Sequence, residues 1–96
     1  NDQSVTKPTT YSLSQNYPNP FNPSTTINFA LPKESIVTLK VYNMIGQEIM
    51  TLINGEKINA GYHSVKVDGS KLTSGVYIYK LTAGDFVSVK KMVLMK

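Results

Sequence analysis

The chain has 96 residues, a formal net charge of +4 and a hydrophobic fraction of 41%, a composition that predicts one small globular domain rather than a disordered chain. It has no cysteine and one histidine, His63, which excludes disulfides, thiolate metal sites, multi-histidine metal sites and the usual histidine-centred catalytic triads. Arginine is absent and the lysines are scattered, so the charge indicates a mildly basic surface rather than nucleic-acid readout.

Residues 1–12 are polar, include Pro8 and show no hydrophobic period, so we expect them to be a linker from an upstream domain. Because the chain opens without methionine or a signal peptide, we expect it to be an excised piece of a longer parent. Residues 13–96 are predicted to form one domain, which begins with a short edge strand near Leu13.

Residues 15–26, the proline segment, read Q-N-Y-P-N-P-F-N-P-S-T-T. Each proline restricts its own φ, pushes the preceding residue out of the helical region and lacks a backbone donor. We therefore predict a stiff, extended connector that lies over a sheet, with Tyr17 and Phe21 covering that surface.

Strict alternation of apolar and polar residues begins at Thr25, stops at Pro32 and resumes over residues 36–42, which predicts two strands that are each buried on one face. Residues 47–53 are apolar on both faces, so their inward side stays unassigned. The Asn54-Gly55 pair is predicted to end that strand in a turn.

Three later strands complete the pattern. His63 alternates with Val65 and Val67, which predicts a histidine that packs rather than a general base. Residues 76–81 are β-branched and aromatic, as in a strand covered on both faces. In the last strand the apolar phase shifts at Lys90-Lys91, and a β-bulge is one explanation. Six or seven short strands separated by turns predict an all-β, antiparallel β-sandwich.

No arrangement of residues typical of catalysis is present. The acids lie mostly in turns, and no pair is predicted to face across a cleft. Asp68-Gly69-Ser70 is typical of a turn rather than of a calcium loop, and no glycine-rich phosphate loop follows a strand. We therefore expect no enzyme, cofactor or metal site. Tyr77 is predicted to form a tyrosine corner, in which its hydroxyl bonds to backbone a few residues upstream.

Five motifs in a fixed order carry a resemblance. They are the proline segment, V-Y-N-x-x-G-Q from Val41, A-G-x-H from Ala60, L-x-S-G-V-Y from Leu72, and the terminal K-K-M-V-L-M-K. Together they resemble the C-terminal sorting domains of the bacterial type IX secretion system (type A).

The resemblance implies an Ig-like fold and a non-catalytic domain that directs an upstream cargo domain through the outer membrane. It implies as partners the type IX machinery, a sortase-like peptidase, the cargo domain and, after processing of the cargo, anionic lipopolysaccharide. The periplasm would be crossed in transit to the cell surface or the extracellular space. The implied sorting-signal residues are Pro18, Asn19, Pro20, Gly75, Tyr77, Lys90, Lys91, Met92, Val93, Leu94, Met95 and Lys96.

An alternative from a different class is an accessory structural or carbohydrate-binding β-sandwich attached to a hydrolase. Its binding face would be an aromatic platform for sugar rings. The tyrosines considered for such a platform are Tyr11, Tyr17, Tyr42, Tyr62 and Tyr79. Against it, the chain has no tryptophan, and these tyrosines do not recur on one outward face of any predicted strand.

Overall fold

Seven β-strands and no helix make up the part of the chain that the computed structural model describes, residues 7–96. The first half of the predicted linker, residues 1–6, lies outside the described residues. The strands are β1 (Ser12–Leu13), β2 (Ser24–Leu31), β3 (Ser35–Tyr42), β4 (Glu48–Ile58), β5 (Gly61–Asp68), β6 (Gly75–Ala83) and β7 (Phe86–Leu94). Residues 7–96 therefore hold no helix that could span a membrane.

Two antiparallel sheets form the predicted sandwich, with strand orders β1-β2-β5 and β4-β3-β6-β7. The inward side chains of both sheets meet in one core, as expected of two sheets that each bury one face. The all-β fold class is confirmed, and the architecture fits an Ig-like domain.

The alternation in the first half of the chain is confirmed. In β2, Thr25, Ile27 and Phe29 are buried, and in β3 the inward residues at 37, 39 and 41 are fully buried. Pro32 follows β2 directly, as predicted. Thus the period of two was enough to assign the inward face of both strands.

Three predictions for the other strands of the second sheet are wrong. β4 does not end at Asn54-Gly55 but runs on to Ile58, with a register shift against β3 between the Leu39–Ile53 and Val37–Glu56 pairs. Gly55, with φ of 61°, belongs to this irregularity, where the backbone N–H of Gly55 donates to Thr38 Oγ1 at 3.1 Å. A glycine that tolerates positive φ serves a bulge within a strand as well as a turn.

The other two corrections concern β6 and β7. β6 is buried on one face only, because its outward residues Val76 and Ile78 are just half-buried. β7 pairs with β6 in one unbroken register from Phe86 to Leu94, so no bulge interrupts it. The apparent phase shift arises because Val87 and Val89 point outward and are 54% and 55% exposed.

The two ends of the sandwich carry different parts of the chain. At one end, the ring of Tyr11 stacks on Phe86 at 5.3 Å and its hydroxyl lies 3.0 Å from Ser35 Oγ. At the other end, the strand pairing brings Gly75, where β6 begins, opposite Leu94, where β7 ends. The start of the described chain and its final residues therefore lie at opposite ends.

Candidate functional site at the proline segment and the last strand

Phe21 anchors the proline segment in the core, where its side chain is 1% exposed. Its ring packs beside Gly69 so closely that a Cβ added at Gly69 would lie 3.0 Å from Phe21 Cε2 and 3.2 Å from Leu94 Cδ2. The Gly69 N–H donates to the Pro23 carbonyl oxygen at 2.7 Å. The absence of a side chain at residue 69 thus makes room for the ring.

The segment is bent at residues 18–20 and 22–23, so the prediction of a wholly extended connector is wrong. Its three prolines follow cis peptide bonds. The bend is held by two buried residues, since Asn16 Nδ2 donates to the Pro18 carbonyl oxygen at 3.2 Å and Thr25 Oγ1 donates to the same oxygen at 2.8 Å. These polar side chains draw the Pro18 carbonyl inward and satisfy it.

Tyr17 does not cover the sheet as predicted and is 80% exposed. Its backbone N–H donates to the Thr26 carbonyl oxygen at 2.9 Å, and the Thr26 N–H donates to the Tyr17 carbonyl oxygen at 3.0 Å. The bridge holds the Tyr17 backbone while its side chain stands in solvent.

Tyr79 of β6 ties the start of the proline segment to the core. Its hydroxyl donates to the Ser14 carbonyl oxygen at 2.7 Å and accepts from the Asn16 N–H at 2.8 Å. The side chain is fully buried, and this burial raises the pKa of Tyr79 to about 12. A neutral phenol thus bonds to two backbone groups, one just before the proline segment at Ser14 and one within it at Asn16.

The middle of the proline segment pairs with the last strand. Phe21 forms a parallel bridge with Leu94 and donates its N–H to the Val93 carbonyl oxygen at 2.9 Å. Met95 N–H donates to the Phe21 carbonyl oxygen at 3.0 Å, and Val93 N–H donates to Asn19 Oδ1 at 2.9 Å. The outer edge of β7 is therefore already occupied over these residues.

Two further contacts extend this junction. Gln15 Nε2 donates to the Lys91 carbonyl oxygen at 2.6 Å. At the chain's last residue, Lys96 Nζ donates to the Ser70 carbonyl oxygen at 2.8 Å, and the Lys96 N–H donates to Ser74 Oγ at 3.0 Å. The loop before β6, the proline segment and residues 90–96 thus meet at one end of the sandwich.

The predicted sorting-signal residues divide by burial. The buried ones are Tyr77, Met92 and Leu94, and the half-buried ones are Gly75, Lys90 and Val93. The exposed ones are Pro18, Asn19, Pro20, Lys91, Met95 and Lys96, which we call the terminal surface. This exposed group is the part of the predicted signal that is most open to a partner in the folded domain.

Tyr77 forms the predicted tyrosine corner, because its hydroxyl donates to the Thr73 carbonyl oxygen at 2.6 Å. Its buried ring and this bond fix the loop that leads into β6. The prediction for His63 is also confirmed, since its ring packs on Phe29 at 5.3 Å and Nε2 lies 2.8 Å from the Asn59 carbonyl oxygen.

Sequence reasoning missed Asn16, Thr25 and Gly69 as the residues that seat the proline segment. Asn16 Nδ2 donates to Thr25 Oγ1 at 3.1 Å, a contact between positions that share no local pattern. Gly69 was assigned to a turn only. It follows the fifth strand directly, as many turn glycines do. This position gives no sign that an aromatic ring packs there.

The tyrosines do not form the common platform considered above. Tyr79 lies in the core, Tyr11 stacks on Phe86, and Tyr17 is exposed beside the proline segment. Tyr42 and Tyr62 lie on different sheets, as members of β3 and β5. Strand alternation and sheet order separate them, which agrees with the expectation that the five do not share one outward face.

The terminal surface carries positively charged and apolar groups. It offers two ammonium groups, at Lys91 and Lys96, beside the exposed thioether of Met95. Within residues 7–96, no group of three or more histidine, cysteine or acidic side chains is placed to hold a metal ion.

The secretion system C-terminal sorting domain family matches residues 15–95 of this chain. The match begins at Gln15, the first residue of the proline segment, and includes the whole of the last strand. A comparison with curated proteins finds no match. The chain therefore belongs to the C-terminal sorting domains of the type IX secretion system.

Proposed function

We propose that this domain is a non-catalytic sorting signal that directs an upstream cargo domain through the outer membrane and to attachment at the cell surface. The observation that carries the proposal is the hydrogen-bonded junction between the proline segment and the last strand. Asn19 and Val93 are bonded across a separation of 74 residues. A receptor that contacts this junction would therefore bind the folded domain in preference to an unfolded chain.

The mode of recognition follows from which groups are free. Addition of a partner strand at a sheet edge requires unpaired backbone groups, and those of Val93 and Met95 are already bonded to Asn19 and Phe21. The side chains of Lys91, Met95 and Lys96 are exposed, and the Lys96 ammonium, which donates one hydrogen bond to the Ser70 carbonyl, keeps two further donors. We therefore favour recognition of Lys91, Met95 and Lys96 by charge and shape over edge pairing at residues 91–95.

The specific partners belong to the same proposal. They are the type IX machinery, its sortase-like peptidase and, after processing of the cargo, anionic lipopolysaccharide, with the periplasm crossed in transit. We also propose the division into a linker, residues 1–12, and a sorting domain, residues 13–96. Tyr11 and Ser12 already contact the sandwich, so a cleavage site that is open to a peptidase would precede them.

The test is export of a fluorescent protein fused ahead of residues 1–96 in a host with a working type IX system. In one variant Lys91→Glu is combined with Lys96→Glu. In the matched control Lys33→Glu is combined with Lys57→Glu, which changes the same charge at exposed positions at the Ser35 end of the sandwich, away from the terminal surface. Thermal denaturation of each purified domain establishes that it is folded.

We expect the parent fusion and the control to reach the cell surface and the Lys91/Lys96 variant to stay in the periplasm. Equal export of both folded variants would contradict recognition through the terminal lysines. Retention of the parent fusion in the host from which the chain derives would contradict the sorting function itself.

A further inference from the structure

A second surface feature lies on the outer face of the β1-β2-β5 sheet, away from the terminal surface. It is a depression of about 300 Å³, which we call the serine–tyrosine trough. The residues that carry the argument are Ser12, Ser14, Asn28, Ala30, Tyr62 and Ser64; Phe29 and His63 also line the depression. Its volume is sufficient for one sugar ring with its hydroxyl groups.

Strand register sets the shape of the trough. Ala30 of β2 lies between Ser12 of β1 and Tyr62 of β5. One residue pair along the sheet, Asn28 lies opposite Ser64, and its carbonyl oxygen accepts the Ser14 N–H at 2.9 Å. A methyl group thus forms the floor between a serine hydroxyl and an aromatic ring.

Tyr62 supplies an apolar wall. Its large and mostly hydrophobic ring is 69% exposed and is therefore open to a ligand. The strand around it is held in place from the opposite face, where His63 packs on Phe29. A tyrosine ring fixed on a strand presents contact area at a low entropic cost, which is why tyrosine is favoured at binding surfaces.

The polar groups of the trough are arranged to donate and accept hydrogen bonds. Ser64 Oγ donates to Asn28 Oδ1 at 2.5 Å, which orients the amide and leaves its nitrogen with two N–H donors. That nitrogen has no other partner within residues 7–96. The hydroxyls of Ser12 and Ser14 each offer one further donor and two acceptor positions.

Charge narrows the class of ligand. The lining contains no lysine and no carboxylate, and its one titratable side chain, His63, packs on Phe29, so the trough offers no fixed charge to pair with an ionic ligand. A ligand suited to it carries many hydroxyls and an apolar face, because ring, amide and hydroxyl groups then all find partners. We propose that the serine–tyrosine trough binds a neutral oligosaccharide, with one sugar ring stacked on Tyr62 and its hydroxyls bonded to Asn28 and the serines.

This site is independent of the sorting function, since it shares no residue with the terminal surface. It would give the domain a second activity, the binding of a neutral glycan. Failure of one proposal therefore leaves the other standing.

The test is an NMR titration of the 15N-labelled 96-residue chain with three neutral probes, cellohexaose, maltohexaose and mannohexaose, each up to about 10 mM, where binding in the millimolar range is detected. We expect the amide signals of Ser12, Asn28 and Tyr62 to shift with one of them. Tyr62→Ala should weaken that binding at least about tenfold, as expected when an aromatic anchor is truncated.

Tyr17→Ala is the matched control, because it removes another exposed tyrosine outside the trough and should leave the affinity unchanged. The proposal is overturned if no probe shifts the trough signals, or if Tyr62→Ala binds as tightly as the parent chain. Tighter binding of the acidic sugar trigalacturonate than of every neutral probe at the trough signals would also overturn it, because the trough is expected to prefer an uncharged ligand.

Discussion

Tyr79 is the clearest case of one side chain that joins two parts of this molecule. Its ring belongs to the core of the second sheet, while its hydroxyl bonds to Ser14 and Asn16 at the start of the proline segment. Tyr77, two residues earlier on the same face, instead bonds to its own loop at Thr73. The two hydroxyls have the same chemistry, but Tyr77 bonds to a residue close in the chain and Tyr79 to residues distant in it.

Replacing Tyr79 by phenylalanine should lower the free energy of unfolding by about 2 to 4 kcal/mol, because the buried Asn16 N–H and the part-buried Ser14 carbonyl both lose their partner. Tyr77→Phe should cost about 0.5 to 1.5 kcal/mol, since one hydrogen bond is lost and Thr73 is near solvent. Urea denaturation measures both. Equal losses in the two variants would contradict the bridging role of Tyr79.

The raised pKa of Tyr79 predicts a pH dependence of stability. Its pKa is about 12 in the fold and about 10 in the unfolded chain, so between these values only the unfolded state releases the proton. The stabilising contribution is complete below pH 10 and is lost as the pH rises toward 12.

Thermal denaturation at intervals from pH 9 to pH 11.5 checks this. The midpoint of the parent chain should fall more steeply above pH 10 than that of Tyr79→Phe, which has no proton to lose at this position. If the midpoints of the two proteins fall in parallel as the pH rises, Tyr79 is not the source of the pH dependence.

The contact between the proline segment and the loop after β5 depends on the missing side chain at Gly69. Gly69→Ala should lower the free energy of unfolding by about 1 to 3 kcal/mol, because the added Cβ is forced against Phe21, Leu94 and the Pro23 carbonyl. Ser70→Ala, at the exposed neighbouring position, is the control.

Hydrogen exchange gives this prediction a local readout. In Gly69→Ala the Phe21 and Met95 amides, which pair the segment with β7, should exchange faster than in the parent chain. Unchanged exchange at both amides would show that the ring adjusts without loosening the junction.

Two lysines face each other across the centre of the second sheet. Lys40 of β3 lies directly opposite Lys80 of β6, and both point outward. Lys40 bonds to Glu48 Oε1 at 3.0 Å, and this hydrogen bond raises the pKa of Lys40, whereas Lys80 gains no such partner within the described residues. Like charges opposite each other on neighbouring strands are destabilising.

Lys80→Glu should therefore raise the midpoint of thermal denaturation at low ionic strength, and added salt should reduce the gain because it screens exposed charges. Lys66→Glu is the control, since Lys66 lies opposite the uncharged Thr26. A lower midpoint for Lys80→Glu than for the parent chain would contradict the repulsion.

The whole domain depends on its last strand, because Met92 and Leu94 are fully buried. Deleting residues 90–96 should unfold the chain, since two large core side chains contribute roughly 2 to 5 kcal/mol each and small domains have a margin of about 5 to 15 kcal/mol. Loss of the cooperative thermal transition in circular dichroism is the expected result.

Deleting residues 95–96 alone removes exposed groups and should leave the domain folded. Export of this shorter variant then reports on recognition rather than on folding. A cooperative transition retained after deletion of residues 90–96 would mean that the core does not need the last strand.

Local periodicity was sufficient to predict the all-β class, the inward faces of β2 and β3 and the role of His63. Alternation is a property of the pleated backbone, and a strand buried on one face must repeat every second residue. The tyrosine corner at Tyr77 was equally local, because its hydrogen bond joins residues four apart.

The candidate site was predicted only as separate pieces. Its motifs were visible in the sequence, but pairing between Asn19 and Val93 depends on how the sheets come together. The outward valines of β7 and the continuation of β4 past Gly55 were missed for a related reason. An apolar residue on an edge strand need not face the core, and a glycine can serve a turn or a bulge.

The sequence alone therefore determined the strands, most of their inward faces and, through its motifs, the family. Only the tertiary structure decided that the proline segment covers the edge of the last strand and that Tyr79 joins the start of this segment to the core. It also decided that the exposed Tyr62 ring lines a polar trough. The physical reason is that side-chain period and turn chemistry act between neighbours in the chain, whereas edge pairing and burial are settled between residues far apart in it.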